Sequence, residues 1–183
     1  MTTDHKIWKR LLNLGNHIPS ASLFVGPQGI GKQAMAKRLF QVHHCEKISA
    51  VTADSEPCDQ CITCKRILAG NHSDFHVLTR GDSEWILVDD LRDIKTKIFF
   101  KPNEGKFRFI IIPEAHRLNQ SSANALLKTL EEPPGDSLII LISHCPQILL
   151  PTIISRCQNF NFNSLSLNEI KQILESLEID GKI

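Results

Sequence analysis

Ser22-Leu-Phe-Val-Gly26-Pro-Gln-Gly29-Ile-Gly31-Lys32 sets a short apolar run against a glycine-spaced turn, and Ala34, Met35, Leu39 and Val42 follow at helical spacing. That order reads as strand, glycine turn, helix. Within it Gly26 to Lys32 fits the spacing G-x-x-x-x-G-K, in which backbone amides converge on phosphate groups and the lysine reaches the outer ones. A glycine turn without a ligand is the plain alternative. The strand before the turn and the helix after it favour the phosphate reading.

Working outward, Phe75-His-Val-Leu-Thr79 reads as a second strand, and Leu87, Leu91, Ile94 and Ile98 form one helical stripe behind it. Phe107-Arg-Phe-Ile-Ile-Ile112 is near-continuously apolar, as in a strand buried on both faces. Ala123, Leu126, Leu127 and Leu130 mark a helix that Pro133-Pro134 must end, because proline lacks the amide donor and clashes with the preceding turn. Ser137 to Ile142 and Gln158 to Phe162 supply two more strands. Five strands alternating with helices predict an α/β fold, a parallel five-stranded sheet with helices on both faces. Ser166-Leu-Asn-Glu169 has the form of a capping box, with Ile170, Ile173, Leu174 and Leu177 at helical spacing after it. The expected division is a core over 1–163 and the truncated beginning of a helical unit over 164–183.

The 183 residues are 42% hydrophobic and 22% charged, an ordinary globular composition that sets aside disordered, collagen-like and coiled-coil classes. Lys plus Arg at 21 against Asp plus Glu at 20 leaves a net charge of +1, which argues against a free-standing DNA binder with a basic face. No apolar run approaches the roughly 18 residues of a membrane helix, and the start lacks the layout of a signal peptide, so a cytoplasmic location without membrane contact is expected. In that compartment six cysteines do not read as three disulfides.

Cys58-x-x-Cys61-x-x-Cys64, with Cys45 just ahead of the Glu46 to Pro57 connection, offers four thiolates for a tetrahedral structural zinc. A zinc module at about 45–64 would order a connection too poor in apolar residues to order itself. An iron–sulfur cluster is the competing reading, although the fourth Cys-Pro of that pattern is missing nearby. His43, His44 and His72 are substitutes for one ligand, and Cys145 and Cys157 read as ordinary thiols.

The phosphate turn lacks its usual metal supports. The position after Lys32, where a Ser or Thr hydroxyl holds magnesium, is Gln33, and Phe107 to Ile112 runs into Pro113-Glu114-Ala115-His116, with proline where an aspartate belongs. Glu114 stands where a base orienting the attacking water would be, but the charge developing on the phosphates has no metal to compensate it. Little or no ATP hydrolysis is expected, with Mg2+ disfavoured. Binding of ATP or ADP by Gly26, Gly29, Gly31, Lys32 and Gln33 stays open.

The glycine turn, the cysteine module, Leu118 followed by Ala123-Asn-Ala-Leu-Leu-Lys-Thr-Leu-Glu-Glu-Pro-Pro134, and Pro151-Thr-Ile-Ile-Ser-Arg-Cys157 together resemble the AAA+ clamp-loader subunits of bacterial DNA polymerase III over nearly the whole chain. Gln33, Pro113 and Gly70-Asn-His-Ser-Asp-Phe75 look like the delta-prime kind, with Ser73 in place of a proline. Lys32 and the three loop glycines are intact, as in the gamma/tau motor, which is the second choice. The resemblance implies an AAA+ core followed by the start of a helical lid, and a subunit that helps load the sliding clamp on primed DNA. It implies gamma/tau and delta subunits and the clamp as partners, with DNA met through the complex. Arg156 in Ser-Arg-Cys would be an arginine finger presented to a neighbour's ATP, and Ser143 would match the residue that senses the γ-phosphate. Apart from the substitute-ligand reading of His43 and His44, no role is assigned to His43, His44, His116 or His144.

Overall fold

The computed structural model describes residues 5–15 and 17–163. Five strands, β1 (Ala21–Val25), β2 (Phe75–Val77), β3 (Arg108–Ile112), β4 (Ser137–Ser143) and β5 (Gln158–Asn161), form one sheet in the order β2-β3-β4-β1-β5. Every pairing is parallel, with Leu23 against Leu141 and Asn159, and Phe109 against Leu138. The helices are α1 (His5–Asn13), α2 (Lys32–His44), α3 (Ile62–Leu68), α4 (Val88–Ile98), α5 (Gln120–Glu131) and the short α6 (Pro151–Ile154).

Handedness distributes them. The steps from β2 to β3, β3 to β4 and β4 to β5 all run one way across the sheet, so right-handed crossovers put α4, α5 and α6 on one face. The step from β1 back to β2 runs the other way and puts α2 on the opposite face. Burial follows this division. Phe24, Phe109, Ile111, Ile140 and Phe160 pack with Trp8 and Leu11 of α1 and Met35, Leu39 and Phe40 of α2. The alternate residues Leu23, Ile110, Ile112, Ile139 and Leu141 pack with Leu91 and Ile94 of α4 and Leu126 and Leu130 of α5. A strand feeding two cores has no solvent face, which is why β3 and β4 are buried at every position.

The expected parallel sheet with helices on both faces is present. Differences are local. The second strand stops at Val77 rather than Thr79, and Phe107 lies just ahead of β3. Leu87 is the residue before α4 and is 40% exposed, so it leaves the stripe that Leu91, Ile94 and Ile98 keep; the Asp90 carboxylate caps that helix by accepting the Leu87 amide at 2.8 Å. Ala34 is exposed beside the phosphate turn. Helices α1 and α3 were not anticipated. The capping box at Ser166 and the helix after it lie outside the described residues.

Candidate functional site

Helix α2 joins two candidate sites, because the glycine turn opens it and Cys45 follows its last turn. At 1.5 Å per residue its 13 residues separate them by about 20 Å. The turn stands beyond the carboxyl end of β1, where the loop after β1 leaves toward one face and the loop after β4 toward the other. In parallel sheets that is where ligands bind.

Gly26 cannot carry a side chain, since a Cβ there would lie 2.4 Å from the Phe162 carbonyl oxygen. Its amide donates to the Ser143 carbonyl at 3.2 Å, so the turn is held between the ends of β4 and β5. Gly29 and Gly31 have left-handed φ of 81° and 86°, and no side chain caps α2 at Gly31. The first amides of α2 therefore face outward for an anion. The Lys32 ammonium is folded back, donating to the carbonyls of Gly26 at 2.7 Å and Pro27 at 2.5 Å. Burial pushes its pKa below the ordinary lysine value. To meet a phosphate it must exchange those two carbonyls for the anion.

A cavity of about 350 Å³ brings Gly29, Gly31, Lys32 and Gln33 together with Pro113 and Glu114 beyond β3 and Ser143 and His144 at the end of β4. Glu114 has a left-handed backbone, φ 47° and ψ 42°, a strained conformation for a residue with a side chain. Its Oε2 lies 3.3 Å from Arg117 Nε, close enough for charge attraction but without hydrogen-bond geometry. The Ser143 hydroxyl is buried, lies 3.3 Å from His116 Nδ1 and accepts the Cys145 amide at 3.1 Å. These donors do not suit magnesium: Gln33 and Pro113 offer no anionic oxygen, Glu114 faces Arg117, and the Ser143 hydroxyl is engaged.

At the other end of α2, the Sγ atoms of Cys45, Cys58, Cys61 and Cys64 all lie within 4.8 Å of one another. Zinc–sulfur bonds of about 2.3 Å place tetrahedral sulfurs about 3.8 Å apart, so the four need only small movements to close on a metal ion. Asp59 turns the chain between the first two of the three spaced cysteines with a φ of 53°. The Cys61 amide donates to Cys58 Sγ at 3.3 Å and the Cys64 amide to Cys61 Sγ at 3.4 Å, the outer hydrogen bonds that suit thiolates. The Cys61 and Gln60 amides hold the Cys58 thiol down at about 6, whereas burial pushes Cys64 up. Gln41 of α2 donates to Asp59 Oδ1 at 3.1 Å and to the Cys64 carbonyl at 3.5 Å, tying the module to the helix. The donor set fits a metal ion.

The three histidines offered as substitute ligands serve elsewhere. His44 stacks on Phe40 with centroids 4.0 Å apart, and its Nδ1 lies 2.9 Å from the Phe40 carbonyl while its Nε2 accepts the Lys106 amide. His72 accepts the Asp74 amide through Nδ1. His43 is buried against Phe107. Burial pushes His43 and His44 down to about 4. Asp74, at the end of the Gly70-Asn-His-Ser-Asp stretch, is fully buried and accepts the amides of Asn103, Glu104 and Gly105 at 2.7 to 3.0 Å, with Arg108 Nη2 at 3.3 Å. That stretch is a packing hub, which its residue types alone did not disclose.

Arg156 lies apart from the cavity. It precedes β5, whose first residue pairs with Ser22 near the start of β1, whereas the glycine turn follows the end of β1. A five-residue strand is about 16 Å long, so Arg156 and the turn lie at opposite ends of two neighbouring strands. Its Nε donates to Glu131 Oε1 at 2.8 Å and its Nη1 to the Thr152 carbonyl at 2.9 Å. The Glu131 pairing, from the Leu-Glu-Glu-Pro-Pro stretch, was missed by sequence reasoning.

Residues 4–166 match a family model described as DNA polymerase III, delta subunit. The chain is 39% identical over 152 residues to the DNA polymerase III subunit delta' of Pseudomonas aeruginosa, covering 82% of this chain and 45% of that protein. It is also 39% identical over 150 residues to the DNA polymerase III subunit tau of Bacillus subtilis, covering 82% of this chain and 26% of the relative. The chain thus spans under half the length of either. Among solved structures, a gamma subunit-related protein of Thermotoga maritima aligns with a TM-score of 0.60 at 20% identity, covering 97% of this chain and 52% of the other. The RuvB Holliday junction branch migration motor of the same organism aligns with a TM-score of 0.61 at 16% identity, covering 97% and 51%. These likenesses establish an AAA+ type of fold.

Proposed function

The chain belongs to the DNA polymerase III delta-subunit family, and from that premise we propose that it acts as a delta-prime-like subunit of a clamp loader. In this reading it holds nucleotide without hydrolysing it, helps place the sliding clamp on primed DNA, and works in the cytoplasm beside gamma/tau and delta subunits. The observation that carries the reading is the cavity's composition: Gln33 and Pro113 line the same space as Lys32, so the phosphate cradle is present and the magnesium supports are not. The net charge of +1 suits a subunit that meets DNA through its partners. The cysteine cluster would hold structural zinc, and residues 164–183 would begin the helical lid.

Arg156 would serve a neighbour's ATP, and its place at the strand end opposite its own glycine turn supports action in trans. Leaving Glu131 would free its guanidinium for the γ-phosphate. Arg156→Ala should lower DNA-stimulated turnover of a reconstituted loader by about 10³-fold or more; unchanged turnover removes the assignment. A second reading, an active gamma/tau-type ATPase, is favoured by the intact Lys32 and loop glycines. Steady-state ATP turnover by the purified protein with magnesium decides between them. The expected result is none, and turnover abolished by Lys32→Ala overturns the delta-prime reading.

A further inference from the structure

The phosphate cavity is lined by one histidine and backed by a second, and neither the glycine turn nor the clamp-loader reading uses them. His144, directly after β4, lines the cavity together with Lys32 and Gln33. His116, from the turn after β3, stands behind it with ring centroids 4.1 Å apart and an interplanar angle of 71°. His116 is buried, and its Nδ1 lies 3.3 Å from the Ser143 hydroxyl, which also lines the cavity. One imidazole and a hydroxyl thus share the cavity with Lys32, the group that would reach the outer phosphates of a nucleotide held by the turn, and the second imidazole backs the first.

We propose that this cavity binds a nucleoside polyphosphate without a divalent cation, with His144 contacting the outer phosphate as an imidazolium and His116 positioning it. The inference rests on the nucleotide-holding reading above and adds the ligand's charge state and its partner.

The chemistry follows from what faces the pair. Glu114 and Arg117 lie on the same turn as His116, Lys32 comes from α2, and Glu84 lies beyond Arg117, 3.8 Å from its Nη1. Burial, then His144, with Arg117 and Lys32 adding to it, pushes His116 below the ordinary histidine value, while Glu114 pulls it up. Around His116 the cations outnumber the one nearby carboxylate that attracts a proton, and that imidazole resists charging. A polyphosphate reverses that balance, because an anion beside an imidazole favours its charged form. Binding therefore takes up a proton, and by linkage it strengthens as pH falls through the histidine range. Magnesium, which would compete for the same phosphate oxygens without protein ligands to hold it, adds nothing.

The test is titration of the purified protein with a fluorescent ATP analogue at pH 6 and pH 8, in EDTA and in magnesium, for the wild type, His144→Gln and His144→Lys. The γ-phosphate's own titration is common to all three and cancels in their ratios. Relative to His144→Gln, the wild type should bind about tenfold tighter at pH 6 and equally at pH 8. His144→Lys should bind tightly at both, a rescue that a merely structural histidine would not show. EDTA should leave the wild-type affinity within about twofold, and calorimetry in buffers of different ionisation enthalpy should show proton uptake that His144→Gln loses. Binding that requires magnesium, or an equal pH dependence in wild type and His144→Gln, overturns this inference alone. No binding under any condition overturns the nucleotide-holding reading with it.

Discussion

The two ends of α2 have diverged in opposite directions. At its start the backbone geometry of a phosphate cradle is intact, with left-handed Gly29 and Gly31 and a Gly26 that admits no side chain, while the side chains that would handle a metal are absent. At its end the side chains for a metal are complete, four thiols within 4.8 Å, on a connection with little apolar content to shape it. One end keeps its shape through packing and lacks side chains suited to magnesium. The other has its thiols in place and, in the proposed reading, would depend on a metal ion for shape. Stability and reactivity are therefore separable along a single helix, and each can be perturbed with the other as the control.

The largest expected effect is at the cysteine end. Removing the metal by chelation should forfeit much of the roughly 10–16 kcal/mol that such sites supply, disordering α3 and the 46–57 connection and lowering the melting temperature sharply. Metal content and circular dichroism check this; iron in place of zinc, or an unchanged melting curve after complete removal, contradicts it. Next comes the hub beside it. Asp74→Ala strands the buried Arg108 guanidinium and three loop amides, and should cost about 3–5 kcal/mol in chemical denaturation.

Acid should act at the same end. His43 and His44 are held neutral with pKa values pushed to about 4, so the stability they contribute is fully present above the ordinary histidine value of about 6.5 and is lost as pH falls toward 4. A denaturation midpoint that does not fall over that window would sever the histidines from the fold's acid sensitivity. The glycine end should respond more weakly. Gly26→Ala must shift the Phe162 backbone and should cost about 1–3 kcal/mol. Gly29→Ala meets no atom within 4 Å and adds only the left-handed strain, about 1–2 kcal/mol. A larger cost at Gly29 than at Asp74 would invert the comparison.

Much of this was readable before the fold. β3 and β4 announce themselves because a strand packed on both faces has no reason to alternate, and the glycine spacing marks a turn whatever it binds. The four cysteines could be grouped because their neighbours are too polar to explain buried thiols. Two helices escaped: α1 places Ile7, Trp8, Leu11 and Leu12 inward among basic residues, and α3 has only seven residues, starting directly after Cys61 and carrying Cys64. The site's composition was legible, but its couplings were not. His116 meets Ser143 across 27 positions and Arg156 meets Glu131 across 25, distances at which residue types carry no pairing information. Asp74 looked like part of a motif and proved to be the anchor of a loop.

The separation of Arg156 from the glycine turn by the height of the sheet gives this molecule a head and a tail. An antiparallel twofold pair would set Arg156 of each copy against the turn of the other and close at two subunits, whereas a pair with its sheets aligned the same way would join the arginine end of one copy to the turn of the next and leave both outer ends open. The second arrangement is head to tail, closing into a ring if its rotation allows and continuing as a filament if it does not. In such a row each subunit meets one neighbour through its arginine end and the other through its turn, so the row has a direction that every member shares.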